Sequence, residues 1–315
     1  MQNSKLQLKI QKFLSKAVPL WMVLLIVLNS TLIMGIIQYY LMKQELDKNI
    51  RQLAKTTQTP QQLAQILKQE VVPQKGYVTS LKWKDLGKRL VETGAIDKKK
   101  YEEIFTQNVD GGDHMKYMDG NWEENIAINE QNARFMVNTF WALGLVNKSK
   151  VLDEGPMRGE GIETGNMAST AGWTLGSKPA MELYSSSPTI PLTAEQQELV
   201  KKIAQNVFRP CCGNSTYFPD CNHGMAALGY IEWAIYNGLS EDQIYKDLLA
   251  FNSFWFPQNY VEMAVYFDKQ NIKWKDLDPK LALSASYSSA QGVQRIKQAI
   301  QSVPGVSGSG GGCGV

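Results

Sequence analysis

Three of the chain's four cysteines and one of its two histidines fall within thirteen residues of the segment RPCCGNSTYFPDCNHGMA. They are Cys211, Cys212, Cys221 and His223, and Met225 follows two residues later. Thiolate, imidazole and thioether together make a soft donor set, suited to Cu(I) or Zn(II) and poorly suited to Mg or Ca. The spacing is not that of a zinc finger. A vicinal pair replaces the C-x2-C knuckle, and adjacent residues do not readily turn both sulfurs onto one tetrahedral ion. A Cu(I) site of two or three ligands is therefore easier to satisfy than a Cys3His zinc site. Two other chemistries stay open: a disulfide joining Cys221 to Cys211 or Cys212, and a redox-active thiol. The fourth cysteine, Cys313, stands in the terminal SVPGVSGSGGGCGV, whose Gly/Ser composition predicts a flexible coil. It is a candidate further ligand beside Met225, a thiol that exchanges disulfides, or the partner of an odd cysteine in the loop.

Only His114 and His223 are present, so neither a histidine-rich metal centre nor a two-histidine catalytic mechanism is available around these sulfurs. No catalytic constellation is legible elsewhere. The stretch GWTLGSKP lacks the GxxxxGK[ST] order of a phosphate loop. Asp119, Asn121, Glu123 and Glu130 have the spacing of an EF-hand loop, but Glu124 stands where the sharp turn needs glycine.

The elements that must position the cluster read as helices. A capping box, Thr193-Ala-Glu-Gln196, opens a helix towards Phe208, and an apolar helix begins near Asn222 or His223, so the cysteine loop lies between two helices. Three segments share one grammar: KDLGKRLVETGAIDKKKYEEIF, ARFMVNTFWALGLVNKSKVL and ALGYIEWAIYNGLSEDQIYKDLLAF. In each a helix is expected to stop at a glycine (Gly94, Gly144, Gly238), and a polar residue caps the next turn. These are αα-hairpin candidates. Further helices are predicted from Pro257 to about Lys269 and from Ser289 to Gln301, while no convincing period-2 strand is found. The aromatic residues that follow the cluster, from Tyr230 to Phe267, read as packing between helices. The segment DEGPMRGEGIETGNMASTAGWTLGSKPA, with six glycines, is expected to be a surface loop able to line a site.

Ala17 to Met42 contains no charged side chain, and its most apolar 21 residues suffice for a helix crossing a hydrocarbon core about 30 Å thick. No small-residue cleavage site follows it, so the segment reads as an uncleaved anchor rather than a signal peptide. Lys5, Lys9, Lys12 and Lys16 precede it without an acid, and together with the short N-terminal flank they favour an N-inside orientation. The expected organisation is a basic flank (1–16), a transmembrane helix (17–41), a helical stalk (42–75), an α-helical extracytoplasmic domain (76–302) holding the Cys/His loop at 209–225, and a Gly/Ser tail (303–315). This places the protein in the inner, cytoplasmic membrane as a single-pass protein. The lipid bilayer is then one partner, and other exported proteins are candidate partners. The whole chain carries 33 Lys+Arg against 30 Asp+Glu. Residues 1–55 hold 8 basic and 2 acidic side chains, leaving 25 basic against 28 acidic in the remainder. The basic excess belongs to the anchor, and nucleic acid is not an expected partner.

The segment from Arg209 to Tyr260, together with the KWKDLGKRLVETGAIDKKKYEEIF and WALGLVNK stretches and the tail ending in CGV, resembles uncharacterised membrane-anchored bacterial proteins. A weaker resemblance is to cytochrome c maturation thiol proteins of the CcmH type and to PCYCG-type metal-binding proteins, in which a cysteine motif precedes a helix, a G-x-S-E-x-x-I turn and a second helix. Cys211, Cys212 and the turn from Gly238 to Ile244 match that layout, whereas the C-x-x-C spacing is absent. The resemblance implies either soft-metal binding or thiol–disulfide chemistry on exported proteins.

Overall fold

The computed structural model describes residues 19–57, 60–105 and 114–300. The basic flank and the tail with Cys313 lie outside the described residues. As expected, the fold is mostly α: the described residues form fifteen α-helices and one two-stranded sheet. The chain divides into two units, Met1–Thr59 and Pro60–Val315.

The first unit holds one helix, α1 (Leu20–Thr57), whose Leu20–Lys48 portion is long and apolar enough to cross a membrane. Its polar run Asn29-Ser30-Thr31 is accommodated by the helix itself. Asn29 Nδ2 donates to Leu25 O at 3.0 Å, Thr31 Oγ1 to Val27 O at 3.0 Å, and Ser30 Oγ to Ile26 O. Each of these side chains thus donates to a carbonyl of the preceding turn.

In the second unit the elements used below are α2 (Pro60–Val71), β1 (Tyr77–Lys84), α3 (Leu86–Glu92), α4 (Lys98–Phe105), β2 (Trp122–Ile128), α5 (Ala133–Val146), α6 (Ala194–Asn206), α7 (Asn222–Tyr236), α8 (Glu241–Trp255), α9 (Pro257–Lys269) and α10 (Ala290–Ile300). The core is built on α5 against α7. All residues from Phe135 to Val146 and from Asn222 to Ile235 are buried, so both helices are surrounded on every side. They touch backbone to backbone at two glycines. A Cβ on Gly144 would lie 2.1 Å from Met225 O, and one on Gly229 would lie 2.2 Å from Phe140 O. The helix was expected to stop at Gly144. It continues to Val146, because this glycine serves a close helix crossing rather than a C-cap. Gly94 and Gly238 do end their helices, each with φ of +78°.

Two expectations about the chain between anchor and core are corrected. The unit boundary falls inside the stretch read as a stalk: α2 packs against α9 and buries Leu67 and Val71. A sheet also exists, with β1 and β2 antiparallel in the register Tyr77↔Ile128, Val78↔Ala127, Lys82↔Asn125 and Lys84↔Trp122. The alternation in YVTSLKWK escapes a reading by hydropathy because the inward set is Thr79, Leu81 and Trp83. Thr79 is buried, with its hydroxyl on Ile126 O at 3.0 Å, and Val78 faces solvent. The predicted helix starts are found. Thr193 and Gln196 form the capping box, Ser240 Oγ accepts from Gln243 N, and Pro257 begins α9.

The glycine-rich segment 153–180 is less of an open loop than expected. Met157, Thr164, Ser169, Thr170 and Trp173 are buried, and Trp141 on α5 donates its indole N–H to Ser169 O at 2.7 Å. It does reach the cysteine loop, through Ser169 N donating to Asp220 O at 3.0 Å.

Two buried carboxyls link the elements. Asp247 on α8 accepts Tyr77 from β1 at 2.7 Å and Tyr230 from α7 at 2.5 Å. Glu232 on α7, with no exposed surface, accepts Asn147 Nδ2 at 3.0 Å, and Asn147 Oδ1 receives Ile190 N at 3.0 Å.

Burial pushes the Glu232 carboxyl up to about 8, so the folded chain holds it protonated at neutral pH. A raised folded-state value stabilises the fold fully below the unfolded value and loses that contribution as pH climbs to about 8. Stability measured by urea unfolding is therefore expected to fall by about 1.4 kcal/mol per pH unit between pH 5 and 8 relative to Glu232→Gln, which removes the titration. A slope identical in the variant would exclude Glu232 as the source. At the helix crossing, Gly144→Ala or Gly229→Ala is expected to cost about 3 kcal/mol, seen as a lowered thermal midpoint, since backbone atoms must move to admit the methyl.

Candidate functional site

The cysteine loop runs from the end of α6 to the start of α7 and is held at both flanks by backbone pairing. Phe208 N donates to Leu283 O, Thr216 N to Val207 O and Ala290 N to Cys212 O, at 2.8, 2.8 and 2.9 Å. These bonds fold the loop back on itself and fasten it to the N-terminus of α10. The post around which it folds is Arg209, only 1 % exposed. Its guanidinium donates to Asn214 O at 3.1 Å, Phe218 O at 3.1 Å, Asp220 Oδ1 at 2.6 Å and, through Nε, to Cys221 Sγ at 2.9 Å. A buried guanidinium needs this many acceptors to offset the loss of water. Gly224 makes room for it: a Cβ there would lie 2.4 Å from Arg209 Cζ.

This fold-back brings three of the predicted residues together. The Sγ atoms of Cys211, Cys212 and Cys221 all lie within 4.8 Å of one another, with Cys211 and Cys221 3.4 Å apart. A disulfide needs about 2.05 Å, so these sulfurs are not bonded to one another in this structure. Four sulfurs placed tetrahedrally around Zn at 2.3 Å would be about 3.8 Å apart, within the range the cluster spans. Cys221 is buried and Cys211 and Cys212 are half-buried, so the cluster opens to solvent on one side.

His223 is not among the residues whose ligand atoms meet there. Each residue of a helix turns by about 100°, so His223, two residues on from Cys221, points to another face, while Met225 lies one turn along on the side of Cys221. The imidazole packs on Phe256, with ring centroids 4.4 Å apart, and on Trp255 at 5.7 Å, and burial holds its titration down to about 4. His223 is thus neutral, with Nδ1 unpartnered. Met225 is fully buried at the crossing of α5 and α7. Cys313 lies outside the described residues. The closeness of these residues in the sequence is therefore a poor guide to their closeness in space.

The three thiols titrate unequally. Hydrogen bonds from Cys211 and Cys212, reinforced by the charge and Nε–H of Arg209, hold Cys221 well below the usual thiol range against the opposing effect of burial. Gly224 N–H, at the N-terminus of α7, also points at its sulfur from 3.4 Å. Cys211 is pushed up by its bonds to Cys212 and Cys221 and by burial. At Cys212 the bond with Cys211 acts downward, but its bond to Cys221 and burial bring it up to about 11. Cys221 is thus the most acidic of the three, its sulfur facing Cys211 and the Arg209 guanidinium.

No protein family, curated protein or solved structure matches the chain. The site must be read from its own residues, and two that matter most are absent from the candidates named by sequence. Arg209, one of six arginines in the chain, stands two residues before Cys211, and Asp220 stands immediately before Cys221. A basic and an acidic residue, each just ahead of a cysteine, are the sequence signal of the buried pair. Since Arg209 helps hold the Cys221 thiolate, Gly224→Ala, which crowds the guanidinium, is expected to raise the Cys221 titration by a pH unit or so. Thiolate ultraviolet absorbance followed against pH checks this, and an unchanged curve would separate Arg209 from the thiolate.

Proposed function

We propose that this protein is a single-pass membrane protein whose α-helical domain lies outside the cytoplasm and binds one soft metal ion, Cu or Zn, through Cys211, Cys212 and Cys221. The observation that carries the reading is the convergence of three sulfurs within 4.8 Å on a loop braced by a buried arginine. Thiolates in such number select soft and borderline ions over Mg or Ca. The apolar helix α1 supports the anchor, and the lysines before it support the N-inside orientation. The resemblance to membrane-anchored bacterial proteins with this cysteine motif is in keeping with that placement. The test is elemental analysis of the full chain purified anaerobically in detergent. One equivalent of copper or zinc is expected, lost in Cys221→Ser and reduced at least tenfold in Cys212→Ser. Metal at background in the wild type, before and after reconstitution, would sink the reading.

The 3.4 Å approach of Cys211 to Cys221 supports a second reading, a thiol–disulfide protein acting on other exported proteins. It requires the cluster to cycle between thiols and a Cys211–Cys221 disulfide. Intact mass after alkylation with and without reductant separates the two readings: a metal site keeps three alkylatable thiols once the ion is chelated, whereas the redox reading expects two of them to be blocked until reduced.

A further inference from the structure

Asp220 is a hard donor standing at the edge of the soft cluster. Its Oδ1 lies 3.8 Å from Cys212 Sγ, close enough that a small rotation would add a carboxylate to the three sulfurs. The structure ties down both oxygens instead. Oδ1 accepts Arg209 Nη2 at 2.6 Å, and Oδ2 accepts Asn214 Nδ2 at 2.8 Å. The same guanidinium places its Nε–H on Cys221 Sγ at 2.9 Å, so a buried cation faces the cluster. Among the described residues no other Cys, His, Asp or Glu joins the three sulfurs.

We infer that Arg209 is a specificity-determining residue: by sequestering Asp220 and facing Cys221, it keeps the site three-coordinate and all-sulfur, and so selects Cu(I) over Zn(II). The inference rests on the reading of the cluster as a metal site. Zn(II) is nearly always four-coordinate in protein sites and accepts carboxylate readily, whereas Cu(I) is satisfied by two or three soft sulfurs. Charge acts in the same direction. Three thiolates around a monovalent ion leave more uncompensated negative charge than around a divalent one, so a fixed guanidinium on one sulfur favours Cu(I) the more.

The experiment is an anaerobic competition on the full chain in detergent, with a chromogenic chelator for each of Cu(I) and Zn(II), and X-ray absorption on the loaded protein. The wild type is expected to bind Cu(I) at least about 100-fold more tightly than Zn(II), with a shell of three sulfurs and no oxygen or nitrogen. Asp220→Asn keeps an acceptor for Arg209 and is expected to keep the Cu(I) preference and the all-sulfur shell. Arg209→Met frees the carboxylate and is expected to tighten Zn(II) binding by about tenfold, an effect that the added Asp220→Asn change cancels. If Arg209→Met does not fold, the wild-type selectivity, the ligand shell and Asp220→Asn still decide. Zn(II) bound as tightly as Cu(I), an oxygen in the Cu(I) shell, or a tenfold loss of Zn(II) on Asp220→Asn would overturn the inference while leaving a metal site standing. Binding of neither ion would overturn both.

Discussion

The guanidinium of Arg209 is the constraint around which the cysteine loop is organised. A full positive charge with 1 % of its surface exposed is tolerable only if acceptors replace the lost water, and the loop supplies two carbonyls, a carboxylate and a sulfur. Meeting that demand draws residues 214, 218, 220 and 221 inward around one side chain. The convergence of the sulfurs is a consequence of this closure. So is the low titration of Cys221, which sits on the same guanidinium as Asp220 and at the N-terminus of α7.

The loop can close in this way because its ends are anchored in a rigid frame. The α7 helix begins immediately after Cys221 and is buried along nearly its whole length against α5, where Gly144 and Gly229 let the backbones approach closely. Asp247 and Glu232 extend the frame outward, tying α7 to β1, α8 and the end of α5 through hydrogen bonds rather than ion pairs. Neither carboxyl has a cation hydrogen-bonded to it, and burial raises the titration of both. The core thus carries polar cross-links whose strength depends on pH, beside a site whose sulfurs face partly outward.

The all-sulfur character of the cluster is a matter of what is kept away as much as what is brought in. His223 is turned to the aromatic corner of Trp255 and Phe256, Met225 is absorbed by the helix crossing, and Asp220 is claimed by Arg209 and Asn214. Each had a ligand atom near the cysteines along the chain. Helix rotation turns the first to another face, the packed core takes up the second, and competing hydrogen bonds occupy the third.

Local features of the chain were readable without its fold: the apolar run of α1, the capping box at Thr193, the Ser240 and Pro257 helix starts, and the clustering of cysteines on an interhelical loop. These depend on residues within a few positions of one another, and backbone sterics, capping and hydropathy act over that range. What the sequence by itself determined is therefore a mostly helical chain with a candidate membrane span and a soft-donor loop. The tertiary structure alone decided that Gly144 serves a crossing rather than a stop, that Thr79, Leu81 and Trp83 make one face of a strand, and that α2 belongs to the globular unit. It also decided the membership of the site. Cys211, Cys212 and Cys221 meet, His223 does not, and Arg209 governs the rest, because a buried charge selects its neighbours by distance in space and a helix turns residues close in sequence to different faces.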